Sequence, residues 1–319
     1  MISKEEHAAR MRVLFGDDPD KLVPLSVSKS CAVYYDGTGA VAKLYRNSRS
    51  GIAQWRAEET AYHRAADHFP APKMHMTYRI KTGEAIIIMA YAGTDGFAMV
   101  ESLDGPAWLQ CARELIAGLH AMHTCGRVAH GDIKPENVAF DGAHWRFIDF
   151  GLSQVLEGEA PSAAPRRVSG TFPLVIPGGA PTPERGDRFA LAMTLLYLGR
   201  TFYTDGCTLD CIAAPTQCAP CLAGESCTPT AFCRVNIRKM HAQRHRDHPF
   251  ADHWGGAPLP GARDIWMALI DIVLAEVDPQ HAYLVWDRAA RVHGYLGQNN
   301  AEGESLCPED AWANLMNHI

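Results

Sequence analysis

Short apolar runs separated by turn residues open the sequence. Leu22–Val27, Cys31–Tyr35 and Ala40–Tyr45 each read as a strand. A Ser/Lys turn divides the first two, and Asp36-Gly37-Thr38-Gly39, residues that accept positive φ, divides the second from the third. The period then changes. Ile52, Trp55, Tyr62 and Ala66 recur at helical spacing, which predicts an amphipathic helix over 52–67. Phe69-Pro70-Ala71-Pro72 ends it, since proline lacks a donor and disfavours helix at the residue before it. Met74–Arg79 and Ala85–Tyr91 return to strand, joined at Lys81-Thr82-Gly83-Glu84. From Pro106 onward the pattern is mainly helical. Trp108, Cys111, Leu115, Leu119 and Met122 mark one face of a long helix, and Phe189–Tyr197, apolar nearly all round, predicts a buried one. Residues 263–277 and 281–296 read as two more helices, and no repeat of fixed period is present.

Composition narrows the class. Apolar residues make up 47% and charged residues 21%, which excludes a disordered chain. The 319 residues suit one large domain or two modest ones. Thirty basic against thirty-six acidic side chains give a formal charge of −6, the opposite of what a nucleic-acid binder working through bulk charge needs. No apolar run approaches the roughly 18–20 residues of a membrane span, so no membrane partner is expected; Ala85–Ala92 and Ile265–Val277 read as core. Met1-Ile2-Ser3-Lys4-Glu5-Glu6-His7 lacks the basic-then-apolar order of a signal peptide. The expected compartment is therefore intracellular, cytoplasmic or nuclear, and reducing.

Chemistry concentrates in His130-Gly131-Asp132-Ile133-Lys134-Pro135-Glu136-Asn137, followed twelve residues later by Asp149-Phe150-Gly151. Two carboxylates and an amide on neighbouring turns suit a nucleotide–magnesium site, because Mg²⁺ prefers hard oxygen ligands and completes its octahedron with phosphates and water. Order and spacing here resemble the signature set of the eukaryotic-type Ser/Thr protein kinase family, over about residues 20–297. The resemblance implies an α+β, bilobal fold: a five-stranded N-lobe with one helix and a mainly helical C-lobe, with nucleotide between them. Its implied layout is an N-terminal extension over 1–19, the N-lobe over 20–92, the C-lobe over 93–297 and a C-terminal tail over 298–319.

The same resemblance assigns roles. Asp132 would accept or orient the substrate hydroxyl proton, Lys134 would neutralise charge on the transferred phosphoryl group, and Asn137 and Asp149 would hold Mg²⁺. Lys43, in Ala40-Val41-Ala42-Lys43, matches the phosphate-contacting lysine. Its glutamate partner is Glu58 or Glu59; Glu58 is preferred because Ala61, Tyr62 and Ala65 then fall at the apolar offsets. Met89 would be the gatekeeper, with the backbone of Ala90 and Ala92 meeting adenine. Thr171, in Gly170-Thr171-Phe172-Pro173, would sit near Asp132 and Lys134, and Asp187 would brace the catalytic-loop backbone.

Several residues depart from the family. Ser26-Val27-Ser28-Lys29-Ser30-Cys31, where the nucleotide-covering loop should be, contains no glycine. Gly131 replaces the arginine that many kinases use to read a phosphorylated activation segment, which makes activity expected to be independent of phosphorylation at Ser169. Ile176-Pro177-Gly178 stands where the family has Ala-Pro-Glu. Residues 204–258 read as an insertion. There Cys207, Cys211, Cys218 and Cys221, spaced as close pairs, are candidates for a structural Zn²⁺ site, and Cys227, Cys233, His241 and His245 for a second. Disulfides and reduced packed thiols are the alternatives.

The implied function is transfer of the γ-phosphate of ATP to Ser or Thr of a protein substrate, with ATP and Mg²⁺ as cofactors. The alternatives are a small-molecule phosphotransferase on the same fold, suggested by His130-Gly131-Asp132, and a nucleotide-binding scaffold, suggested by the glycine-free loop.

Overall fold

The computed structural model describes residues 23–65, 68–100, 102–156, 182–199, 261–276 and 307–319. Two compact units emerge from backbone packing. One draws on Met1–Thr94, His120–His130 and Asn137–Gly158, the other on Asp95–Leu119, Gly131–Glu136 and Glu159–Ile319.

The first unit is built on a five-stranded antiparallel sheet of order β1-β2-β3-β5-β4: β1 Val23–Val27, β2 Cys31–Tyr35, β3 Ala40–Tyr45, β4 Met74–Arg79 and β5 Ala85–Ala90. The central pair β3–β5 is regular, running from Ala40↔Ala90 to Tyr45↔Ala85. Every residue from Ala85 to Met89 is buried, which is why that stretch is a continuous apolar run instead of an alternating one. The β2–β3 hairpin closes on Asp36, whose Oδ1 accepts from the amides of Thr38, Gly39 and Ala40. Helix α1, Arg49–Ala65, starts three residues before the predicted 52–67, because the Ser48 hydroxyl accepts the Gly51 amide at 3.0 Å and caps the first turn. Trp55, Glu58, Ala61, Tyr62 and Ala65 form its buried face. The short strands β6 Val128–Ala129, β7 Val138–Phe140, β8 Trp145–Phe147 and β9 Gln154–Val155 complete the unit; β7 pairs with β8, and β6 with β9.

Helix α2, Gly105–Thr124, fulfils the long-helix expectation, with Trp108, Cys111, Leu115, Leu119 and Met122 all fully buried. The Asp104 carboxylate caps its start by accepting the Ala107 amide at 2.9 Å. In the second unit, α3 (Pro183–Leu198) is buried continuously from Phe189 to Leu198, and α4 (Ala262–Glu276) packs on both α3 and α5 (Pro308–Met316). Trp108 Nε1 donates to the Leu195 carbonyl at 2.9 Å, and its ring packs against that of Trp266. A Cβ at Gly199 would stand 2.5 Å from the Trp266 ring, so the chain leaves α3 through a residue without a side chain. The helix expected over 281–296 and the insertion over 204–258 lie outside the described residues.

Candidate active site

Lys43 and Tyr45 are two residues apart on β3 and therefore share a face of the strand. Glu58 points back from the buried side of α1. Lys43 Nζ donates to Glu58 Oε1 at 2.7 Å and Oε2 at 2.9 Å, and to Asp149 Oδ1 at 2.8 Å. The Tyr45 hydroxyl donates to Glu58 Oε2. Glu58 is wholly buried, and an isolated carboxylate there would be prohibitively costly; an ammonium and a phenol divide its lone pairs between them. Burial alone would lower the Lys43 pKa, but the Asp149 and Glu58 carboxylates outweigh it and raise it, so the amine stays charged. Glu59 is engaged elsewhere, accepting from the Thr77 hydroxyl at 3.0 Å.

Asp149 stands on a left-handed backbone, φ 64°, at the head of a short helical turn over Phe150–Leu152. Such a conformation is costly for a residue with a side chain, and the neighbouring packing holds it. The Phe150 ring is fully buried against Tyr62 of α1, Phe69 and His130, with centroids 4.8–5.8 Å apart. His130 is itself fully buried and its Nε2 lies 3.0 Å from the Ile148 carbonyl. The Ile148 amide donates to the Asn137 carbonyl at 2.9 Å. Asp149 and Asn137 are thus tied to adjoining backbone, and Asp149 keeps 51% of its side chain exposed while bound to Lys43.

Met89 ends the buried run of β5 and its Sδ accepts the Tyr62 hydroxyl at 3.1 Å. The Ala90 amide is donated to the Lys73 carbonyl at 2.9 Å, so that N–H is committed within the unit, and Ala92 is buried. The glycine-free loop between β1 and β2 is a tight turn organised by one hydroxyl. Ser28 Oγ accepts from the amides of Ser30 and Cys31 and donates to the Cys31 carbonyl at 2.9 Å.

Within the second unit Asp132 and Lys134 pair directly, Nζ to Oδ2 at 2.9 Å, both side chains largely buried. The Gly131 amide donates to Asp187 Oδ1 at 2.9 Å across 56 positions of sequence. Gly131 sits at φ 80°, where a side chain is strained, and Asp187 is 2% exposed. Asp187 thus braces the backbone of the His130–Asn137 loop, as the resemblance implied.

A family model described as the protein kinase domain matches residues 38–201, a little over half of the chain. The chain belongs to the protein kinase family. Over 46 residues, 14% of its length, this kinase is 44% identical to serine/threonine-protein kinase ppk21 of Schizosaccharomyces pombe; the match spans 8% of that relative. Among solved structures it is similar to the Cydia pomonella granulovirus kinase PK-1, with a TM-score of 0.52 at 17% identity over 82% of this chain and 92% of that one. That likeness bears on fold alone, and the fold is the expected α+β, bilobal kinase-like one. The chain is a divergent member of that family.

Sequence reasoning passed over three residues of the kinase's site. Tyr45 was counted as one more apolar strand position, although its place two residues after Lys43 was the available signal. In the sequence Tyr62 reads only as a core offset of α1, and Ser28 only as part of the glycine-free loop. Thr171, Ser169, Ile176 and the cysteines Cys207, Cys211, Cys218 and Cys221 lie outside the described residues. Among the described residues, which do not include these cysteines, no group of three or more His, Cys, Asp or Glu side chains is arranged to hold a metal. No helix among them is long and apolar enough to cross a membrane.

Proposed function

We propose that this kinase uses ATP and Mg²⁺ to phosphorylate Ser or Thr residues of protein substrates. The observation that carries the reading is the buried cluster of Lys43, Glu58 and Asp149. The lysine–glutamate pair and a correctly placed metal-binding aspartate are the two conditions a protein kinase must meet before transfer. In this reading Lys43 steadies the triphosphate, held charged by its two carboxylates. Met89 and the backbone at Ala90 and Ala92 line the adenine end.

Magnesium fits the donors present. Asn137 and Asp149 offer an amide and a carboxylate, hard oxygen ligands of the kind Mg²⁺ takes one or two at a time, and Asp149 is half exposed despite its bond to Lys43. When bound there, the ion neutralises charge on the phosphates. Asp132 accepts or orients the hydroxyl proton of the substrate. Lys134, held to Asp132 at 2.9 Å, supplies positive charge beside it, which favours the Ser/Thr protein kinase branch over small-molecule phosphotransferases. The 46-residue likeness to a serine/threonine-protein kinase supports the same specificity.

The test is transfer of label from γ-labelled ATP to generic protein substrates, comparing wild type with Asp132→Asn and hydrolysing the product to phosphoamino acids. Phosphoserine or phosphothreonine is expected, lost by at least about 100-fold in the variant, as removal of a general base implies. Label appearing only in small molecules or only in tyrosine, or persisting in the variant, overturns the reading.

A further inference from the structure

Kinase transfer requires the glutamate of α1 to be held against the β3 lysine, and in this chain a residue beyond that pair does part of the holding. We infer that Tyr45 is a positioning residue that keeps α1 docked on the sheet through Glu58. This rests on the function proposed above for its catalytic consequence, though not for its structural one.

Four observations carry it. Tyr45 is 1% exposed, so its phenol cannot be satisfied by bulk water, and the acceptor it has found is Glu58 Oε2. Glu58 Oε2 also takes one of the two Lys43 bonds, so the phenol and the ammonium converge on one oxygen from one strand face. Opposite Tyr45 across the sheet stands Ala85, the smallest side chain that β5 could offer apart from glycine, beside a run of isoleucines. Tyr62, one turn beyond Glu58 on α1, sends its hydroxyl to Met89. Helix α1 is therefore fastened to the sheet by polar bonds at two successive turns, from Tyr45 to Glu58 and from Tyr62 to Met89. Lys43 is itself shared with Asp149, so it does not serve Glu58 alone. Because a hydrogen bond from a neutral phenol to a buried carboxylate is charge-assisted, its loss weakens the docking equilibrium by about ten-fold.

The variant is Tyr45→Phe, which retains the ring and removes only the donor. In the unliganded protein, amide hydrogen exchange across α1 is expected to quicken by about ten-fold while the β3–β5 pairing stays protected. In turnover, kcat falls, by at most about ten-fold, with the KM for ATP within about two-fold, because the bonds that hold the nucleotide do not run through Tyr45. Adding Tyr45→Phe to Glu58→Gln lowers kcat by no more than about two-fold further, since the phenol acts through the carboxylate. Unchanged exchange in α1, or effects of Tyr45→Phe and Glu58→Gln that multiply in full, overturns the inference. If wild type transfers no phosphate, the proposed function fails, and the exchange experiment alone decides the role of Tyr45.

Discussion

Replacing Lys43 with methionine removes the only ammonium bonded to a fully buried carboxylate in the Glu58 cluster, and the cost can be worked from the contacts. Glu58 loses two bonds, at 2.7 and 2.9 Å, and keeps the one from Tyr45. Deleting one partner of a buried ion pair costs about 3–5 kcal/mol. The surviving phenol places this case near the lower end, about 3 kcal/mol, or roughly 6–12 °C in melting midpoint. The loss also depends on pH. Burial already pushes the Glu58 carboxyl up in the native protein, with Lys43 as the leading opposition, and the variant removes that opposition. A carboxyl whose folded pKa exceeds its unfolded value of about 4.3 binds more protons folded than unfolded. Stability then falls as pH rises from the unfolded pKa toward the folded one, and recovers as pH is lowered. The deficit of Lys43→Met relative to wild type is therefore largest near about pH 8 and smaller near about pH 5.5. The double variant Lys43→Met/Glu58→Gln, in which both charges are gone, regains at least about half of it. Urea denaturation followed by far-UV circular dichroism at both pH values reads the three proteins. Equal deficits at the two pH values, with no recovery in the double variant, would refute the reasoning.

Other expectations follow from particular contacts. Gly93 sits at φ 93° with a built Cβ 1.9 Å from the Phe140 carbonyl oxygen, so Gly93→Ala lowers stability by more than about 2 kcal/mol, whereas Gly39→Ala, strained at φ 130° but facing open space, costs only about 1 kcal/mol; thermal melts separate them. Asp187→Ala takes the acceptor from the Gly131 amide, costing about 1–3 kcal/mol by denaturant midpoint and lowering kcat with it. Gly151→Ala leaves the fold unchanged within about 0.5 kcal/mol, because the new methyl meets Asp149 and Gln54 at ordinary contact distances of 3.5 Å. Ser169→Ala retains turnover within about two-fold in the label-transfer assay, since Gly131 supplies no guanidinium to read a phosphate there.

The strands were legible because their boundaries coincide with turn chemistry. Cys31–Tyr35, Ala40–Tyr45 and Met74–Arg79 stand where predicted, each flanked by residues that close a turn or bar a helix. Ala85–Tyr91 ran one residue long, since Tyr91 donates its amide to Gly39 while the regular ladder ends at Ala90. Periodicity found the core face of α1 but missed its start, which a serine hydroxyl sets rather than an apolar residue. The choice between Glu58 and Glu59 rested on apolar offsets; in the structure Lys43 bonds Glu58, while Glu59 accepts from the Thr77 hydroxyl, a contact the offsets do not foretell. Tyr45 was not legible. An aromatic residue on a strand satisfies the apolar pattern whether or not its hydroxyl is used, and only the three-dimensional approach of α1 reveals the acceptor. The same blindness covers Ser28, whose hydroxyl replaces backbone freedom with a self-satisfied turn.

The account turns on Asn137 and Asp149 binding a magnesium–nucleotide pair beside a charged Lys43. Isothermal titration calorimetry of ATP into the full chain, with and without Mg²⁺ and with Asp149→Asn alongside, tests this most directly. The account predicts heat of binding that depends on Mg²⁺ and disappears, or weakens by at least about ten-fold, in the variant. Nucleotide binding indifferent to both the ion and the substitution, or no binding at all, would contradict it.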